Sequence, residues 1–260
     1  MKRPGQDEVS VTHRRETAGP PPGGPAARLA DVCAGYAAVY EALTYGFSEP
    51  SAAYVEALAS GEIGALLGDA LTWLRARAGA YAPALETLSG AAASMATAGG
   101  GAALRDLRVE YARLFTGPGR PAVMCYASEY LNADARGPGR LNGGAATFAE
   151  AAYKAEGVSL ATARRDLPDH MTTELEFLFH LCRREEAAWA ADESGEAARL
   201  RRSQDAFLRG HAGLWLPRFA TSVRSLAGQQ AYVGMAELLS AHLAVELGDA
   251  AAIGVARPGN

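Results

Sequence analysis

The feature that most constrains this chain is its alanine-rich body, in which large apolar residues return every three or four positions and almost never alternate. Such spacing lines one face of an α-helix, whereas a half-buried strand needs a period of two. Alanine is also the strongest helix former. The expected fold is therefore all-α, a single-domain helical bundle of about eight to ten helices, because a chain of this length and pattern can share one core. Helices are expected over 28–47, 62–79, 83–97, 102–116, 144–156, 169–191, 196–226 with a break near Pro217, and 229–247.

The apolar stripes place these helices. Leu104, Leu107, Tyr111, Leu114 and Phe115 follow helical spacing up to the stop Gly117-Pro118-Gly119. From residue 169 onward, Met171, Leu175, Leu178, Cys182 and Trp189 form one stripe, and Phe177, Phe179 and Leu181 widen it. A helix apolar on most sides belongs in the middle of a bundle. The loop Gly117 to Gly144 is rich in glycine and proline, yet Met124, Cys125, Tyr126, Tyr130 and Leu131 make part of it too apolar for a solvated linker. That part is expected to pack on the bundle.

The ends read differently. Residues 1–27 contain the run Gly19 to Pro25 and few large apolar side chains, so a disordered tail is expected there, with the domain over 28–247 and a loose tail over 248–260. Arg14-Arg15 superficially matches an export signal, but Pro/Gly-rich sequence follows where an apolar stretch of about 7–15 residues is needed. No apolar run approaches the roughly 18 residues of a membrane span, so a cytoplasmic protein without stable membrane insertion is expected. A net charge of −4 supplies no basic field for nucleic acid. Cys33, Cys125 and Cys182 lack CxxC spacing, which suits reduced, buried thiols without a disulfide framework or zinc site.

A search for catalytic patterns finds no GxSxG, no phosphate loop with its lysine, no dinucleotide fingerprint and no HExxH. Glu176 and His180 stand at the wrong spacing for a di-metal Glu-x-x-His pair. The expectation is a protein that is not an enzyme, carries no catalytic residues, metal or cofactor, and works by binding another protein.

One polar cluster remains, Leu167-Pro168-Asp169-His170 with Glu174 one turn on. Structurally, Asp166 or Asp169 would cap a helix whose first turn carries Pro168, and His170 and Glu174 would be an ordinary i,i+4 pair. Functionally, an exposed Asp-His pair near a tyrosine-bearing loop would anchor a peptide beside an apolar groove. Spacing alone favours the structural reading. His211 and Trp215, at i and i+4, are expected to pack together in the core, and Arg183-Arg184-Glu185-Glu186 to be a solvated face.

Taken in order, the motifs carry more than their spacing. Glu110-Tyr111-Ala112-Arg113-Leu114-Phe115-Thr116-Gly117-Pro118 resembles the Y-x-R-L-F-x-G-P stretch of the TorD/DmsD/NarJ family of redox-enzyme maturation chaperones. Tyr126-Ala127-Ser128-Glu129-Tyr130 resembles its Y-E-(S/T)-x-Y segment, and Leu167 to Leu178 its L-P-D-H helix start followed by E-L-E-F. His211-x-x-x-Trp215-Leu216-Pro217 and Tyr232-x-x-x-Ala236-x-Leu238-Leu239 are similar to its closing helices. The L-P-D-H form looks most like chaperones of type II DMSO-reductase-like molybdoenzymes. Ala127 stands where the family has glutamate, and Ala152 and Glu156 where it has aromatics.

The resemblance implies a cytoplasmic chaperone that holds the catalytic subunit of a molybdopterin oxidoreductase, often by its twin-arginine signal peptide, until cofactor insertion. It implies client-binding roles for Tyr126, Glu129, Tyr130, Pro168, Asp169, His170, Met171 and Glu174. In this picture Asp169, Glu174 and Glu129 form an acidic rim, and Tyr126, Tyr130, Leu131 and Met171 an apolar floor. It gives structural roles to Tyr111, Arg113, Leu114, Phe115, Gly117, Pro118, His211 and Trp215. The alternative within the family is an assembly chaperone for a membrane-bound nitrate reductase that grips mature apoenzyme. Either could be a monomer or a domain-swapped dimer.

Overall fold

The computed structural model describes residues 24–74, 78–132, 143–159 and 167–248. The expected tails therefore lie almost wholly outside the described residues, as does Asp166. Within them the protein is all-α, with a single β-type bridge, Tyr126 to His170.

α1 (Pro25–Gly46) begins ahead of the expected residue 28 because Pro25 suits a first helical turn. It runs along α8 (Met171–Ala190), which is flanked on its other side by α9 (Ser194–Phe207). Leu175, Phe177, Leu178 and Leu181 of α8 are all buried, as its wide apolar surface predicts. α4 (Ala82–Ala98) packs on α11 (Gln230–Leu247), which also receives α10 (Gly213–Leu226). α5 (Gly100–Tyr111), α6 (Ala127–Leu131) and α7 (Gly144–Ala155) lie around this frame. One hydrophobic cluster joins residues from Tyr36 to Val245.

Two elements differ from the sequence expectation near the start. α2 (Ala52–Ala59) forms in what was read as a connection, capped by Ser51, whose hydroxyl accepts from the Tyr54 N–H at 3.1 Å. α3 (Glu62–Thr72) ends before the expected residue 79, and a 3₁₀ turn, Ala78–Tyr81, leads into α4. The expected break near Pro217 is also displaced. Pro217 lies inside α10, and the irregularity falls a turn earlier, in a π turn over Leu208–Ala212 that joins α9 to α10. The wider turn takes up the strain that a proline without an N–H brings to a helix.

A second π turn, Ala112–Thr116, continues α5. Each π turn is followed by a glycine for the same reason: a Cβ would sit 2.9 Å from the Ala112 carbonyl oxygen at Gly117 and 2.6 Å from the Leu208 oxygen at Gly213. The sequence expectation of an ordinary helix to 116 with a glycine stop is thus refined to a widened last turn.

The Glu110–Arg113 pair fastens the turn between α10 and α11. Arg113 donates to Glu110 through Nε and Nη2, both at 2.8 Å, and its Nη2 reaches the Leu226 carbonyl at the end of α10. Glu110 accepts from the Gly228 N–H just before α11. A cation thus meets a helix C-terminus and an anion a helix N-terminus, each the favourable sign. Tyr111, Phe115, Phe219 and Tyr232 pack ring against ring beneath the clamp, and Leu114 is fully buried.

The run 183–186 is not simply a solvated face. Arg183 and Glu186 pair at the surface, but Glu185 is buried and accepts from Gln204 at 2.7 Å and Trp189 at 3.2 Å. Arg184 turns to Glu156, which Arg199 also holds through two bonds of 2.8 and 3.0 Å. The acid in place of an aromatic at 156 therefore ties the end of α7 to α8 and α9. All three cysteines are free and buried, as expected.

Candidate functional site

The chain after Gly117 returns to the bundle at Val123, whose N–H donates to the Leu114 carbonyl at 2.8 Å. From there residues 125–127 run antiparallel to 169–171. Met171 N–H donates to the Cys125 carbonyl at 2.8 Å, and Ala127 N–H to the Asp169 carbonyl at 2.9 Å. These bonds bring the tyrosine loop and the L-P-D-H helix start together, across more than forty residues of sequence.

Asp169 is fully buried, and its Oδ2 accepts from the Ser128 N–H at 2.9 Å. It caps α6, not α8. His170 caps α8 instead, its Nδ1 accepting from the Thr172 N–H at 3.3 Å and lying 2.8 Å from the Thr172 hydroxyl. Pro168 is half-buried, and its carbonyl accepts from the Tyr153 hydroxyl at 2.7 Å, which fastens α7 to the same turn. Tyr126 stands edge-on to the His170 ring with centroids 5.1 Å apart.

Glu174 makes no i,i+4 pair with His170. Its carboxylate is fully buried, with Oε1 at 2.7 Å from His211 Nε2 and Oε2 accepting from Trp215 Nε1 at 2.9 Å. Burial raises the Glu174 carboxyl above the usual carboxylate range, against the opposing bonds from His211 and Trp215. His211 and Trp215 do share the core, and what joins them is the acid from the other motif. Tyr130 lies over the Trp215 ring at 5.3 Å and donates its hydroxyl to the Met124 carbonyl at 2.9 Å.

These placements correct the expected acidic rim. Asp169 and Glu174 have no exposed surface, and Met171, expected in the floor, is also buried. The physical reason is that donors inside the bundle replace water: His211 and Trp215 meet the two Glu174 oxygens, and the Ser128 N–H meets Asp169 Oδ2, while Asp169 Oδ1 stays buried without a hydrogen-bond partner among the described residues. Glu129 is mostly covered and pairs with Arg120 at 3.5 Å. Tyr126, Tyr130, Leu131 and His170 are half-buried at this junction, as are Pro168 and Glu129.

Sequence reasoning missed three participants. Phe148 of α7, 44% exposed, stacks on the His211 ring at 5.0 Å. Arg218 donates to the Tyr130 carbonyl at 3.1 Å and lies over the Tyr130 ring. Tyr153 fastens Pro168, as above. Arg218, next to Pro217 in a recognised motif, and Tyr153, between the family positions 152 and 156, had a local signal, and Phe148 had none. Among the described residues no group of three or more His, Cys, Asp or Glu is placed to hold a metal ion, and no helix is long and apolar enough to cross a membrane.

The arrangement defines an all-helical scaffold in which two distant motifs share buried acids beneath a partly open aromatic surface. The chain belongs to the nitrate reductase delta subunit family, whose model matches residues 77–221, more than half of its length. That span holds Tyr126, Asp169, Glu174, His211 and Trp215 together, and it is the TorD/NarJ family that the ordered motifs resemble. The chain is 37% identical over 92 residues to a selenate reductase assembly chaperone protein of Thauera selenatis, covering 35% of this chain and 47% of the relative. It is 34% identical over 99 residues to a chlorate reductase assembly chaperone protein of Ideonella dechloratans, covering 37% of this chain and 50% of the relative. The chain thus spans about half the length of these curated relatives. No solved structure matches it.

Proposed function

We propose that this chain is a cytoplasmic assembly chaperone that binds the catalytic subunit of a molybdopterin-dependent oxidoreductase, together with its twin-arginine signal peptide, and holds it for cofactor insertion before assembly or export. The helical body 28–247 is the chaperone unit, and it needs no cofactor and performs no catalytic step. The observation that carries the reading is the junction of the tyrosine loop with the L-P-D-H helix start, in a chain similar to assembly chaperones of selenate and chlorate reductases. Tyr126, Tyr130 and His170 are the contacting side chains of this reading. Asp169, Glu174, Pro168 and Met171 act by holding them in place, and Glu129 borders them.

Co-expression with a candidate molybdoenzyme catalytic subunit tests it. Wild type should retain the subunit, and a Tyr126→Ala/His170→Ala variant with unchanged helical content should retain much less. Equal retention would remove the site assignment, and no retention by wild type of any such subunit would remove the chaperone reading.

The family description favours a second reading, an assembly chaperone for a membrane-bound nitrate reductase that grips mature apoenzyme. Calorimetric titration with a catalytic subunit's twin-arginine peptide separates the two, since this second reading requires no heat of binding.

A further inference from the structure

Away from the junction just described, α1, α2 and α3 enclose a groove of about 160 Å³. Its walls are Tyr45, Tyr54, Ile63 and Leu66, and its edges carry Glu41 and Glu62. An engineered cavity of about 150 Å³ admits benzene, so this space takes one large aliphatic or aromatic side chain. Tyr45 and Leu66 are 43% and 36% exposed, which leaves apolar surface open to solvent beside a polar edge, as at protein interaction sites.

The charge of the edge selects the occupant. Neither Glu41 nor Glu62 has a salt bridge or side-chain hydrogen bond among the described residues. Among the described residues Arg183 is the cation that acts on the Glu41 carboxyl, and it pairs with Glu186. Burial raises Glu41 above the usual carboxylate range, so a cation arriving beside it gains a partly desolvated anion. Glu176 adds a further negative charge near the Tyr45 ring.

We propose that this groove docks a client segment that presents one large apolar side chain beside one or two basic residues. The proposal rests on the chaperone reading for the identity of the client and adds a second contact surface, distinct from Tyr126 and His170. The apolar side chain fills the space between Tyr45 and Leu66. Its basic neighbour meets Glu41 and Glu62.

The test uses the full-length chain and a fluorescein-labelled twelve-residue peptide with one phenylalanine flanked by arginines, followed by anisotropy. Wild type should bind it, Glu41→Gln/Glu62→Gln should weaken binding about tenfold or more, and Leu66→Asp should abolish it. A peptide with glutamates in place of the arginines should not bind. No binding to wild type, or equal binding to the Glu41→Gln/Glu62→Gln variant, overturns the proposal. So does a concentration-dependent dimer that Leu66→Asp disperses, since the occupant is then a second copy. Retention of the catalytic subunit is measured in parallel. A retained subunit with no peptide binding overturns the groove alone, whereas loss of subunit retention in wild type counts against the chaperone reading whatever the peptide does.

Discussion

Glu174 joins two motifs that lie far apart in the chain, and its environment gives an experimental handle. Glu174→Ala leaves the Trp215 N–H and His211 without their partner inside the core, at a cost of about 3–5 kcal/mol read from the urea midpoint. Glu174→Gln resembles the protonated acid and tests the pH dependence. A carboxyl raised by burial contributes stability that is present below the ordinary carboxylate range and is lost as pH rises through its folded value. The Gln variant should therefore gain on wild type as pH rises from about 4.5, and a gap that moves the other way would show that the ionised acid is the favoured form. At this scale the sequence identified the residues but not their partners. Asp169 reads as a cap, and it is one, but of α6, because the donor it meets depends on where residues 125–128 return. His170 and Glu174 have the spacing of a helix pair, and burial of Glu174 toward α10 decides against it.

The elements turn on two glycines and one clamp. Gly213→Ala would force a Cβ to 2.6 Å from the Leu208 carbonyl oxygen and 3.1 Å from the Leu247 side chain, so a loss of about 1–3 kcal/mol is expected in thermal unfolding. Gly210, three residues earlier on the exposed side, meets only Phe148 at 3.5 Å, and Gly210→Ala should be neutral or stabilising by up to about 1 kcal/mol. Opposite signs at the two sites would identify the π turn as the reason for Gly213. Arg113→Ala removes the cation at the end of α10 and should speed amide exchange around 226–230 with little effect on α8. Periodicity made α8, α4 and α11 readable, since each has a buried face long enough to repeat. α2 has too few turns to repeat, and the π turns have no sequence period of their own.

At the scale of the molecule, α1, the 3₁₀ turn, α9 and α11 converge on His242. Its Nδ1 lies 3.0 Å from the Tyr81 hydroxyl, and its ring is edge-on to Tyr40 with centroids 4.4 Å apart. Arg201 pairs with Glu246 one turn further along α11. Burial, aided by Arg201, lowers the His242 pKa to about 3, so its contribution is present above about 6.5 and is lost as pH falls toward 3. His242→Gln should be less stable than wild type at pH 7, and the gap should narrow by up to about 1.4 kcal/mol per pH unit below 6.5, measured by urea unfolding at several pH values. A constant gap would mean that His242 is protonated in the fold.

The alanine-rich, helix-period pattern determined by itself that the protein is all-α and which helix lies in its middle, because burial of a repeated face is a local property of sequence. The order of the motifs was enough to point to the family. Only the tertiary structure decided that Asp169 and Glu174 are internal ties, that Glu110 and Arg113 close the α10–α11 turn, and that the open acidic and apolar surface lies among α1, α2 and α3. Those outcomes depend on which donors and cations arrive from distant parts of the chain, and no spacing within one helix encodes that.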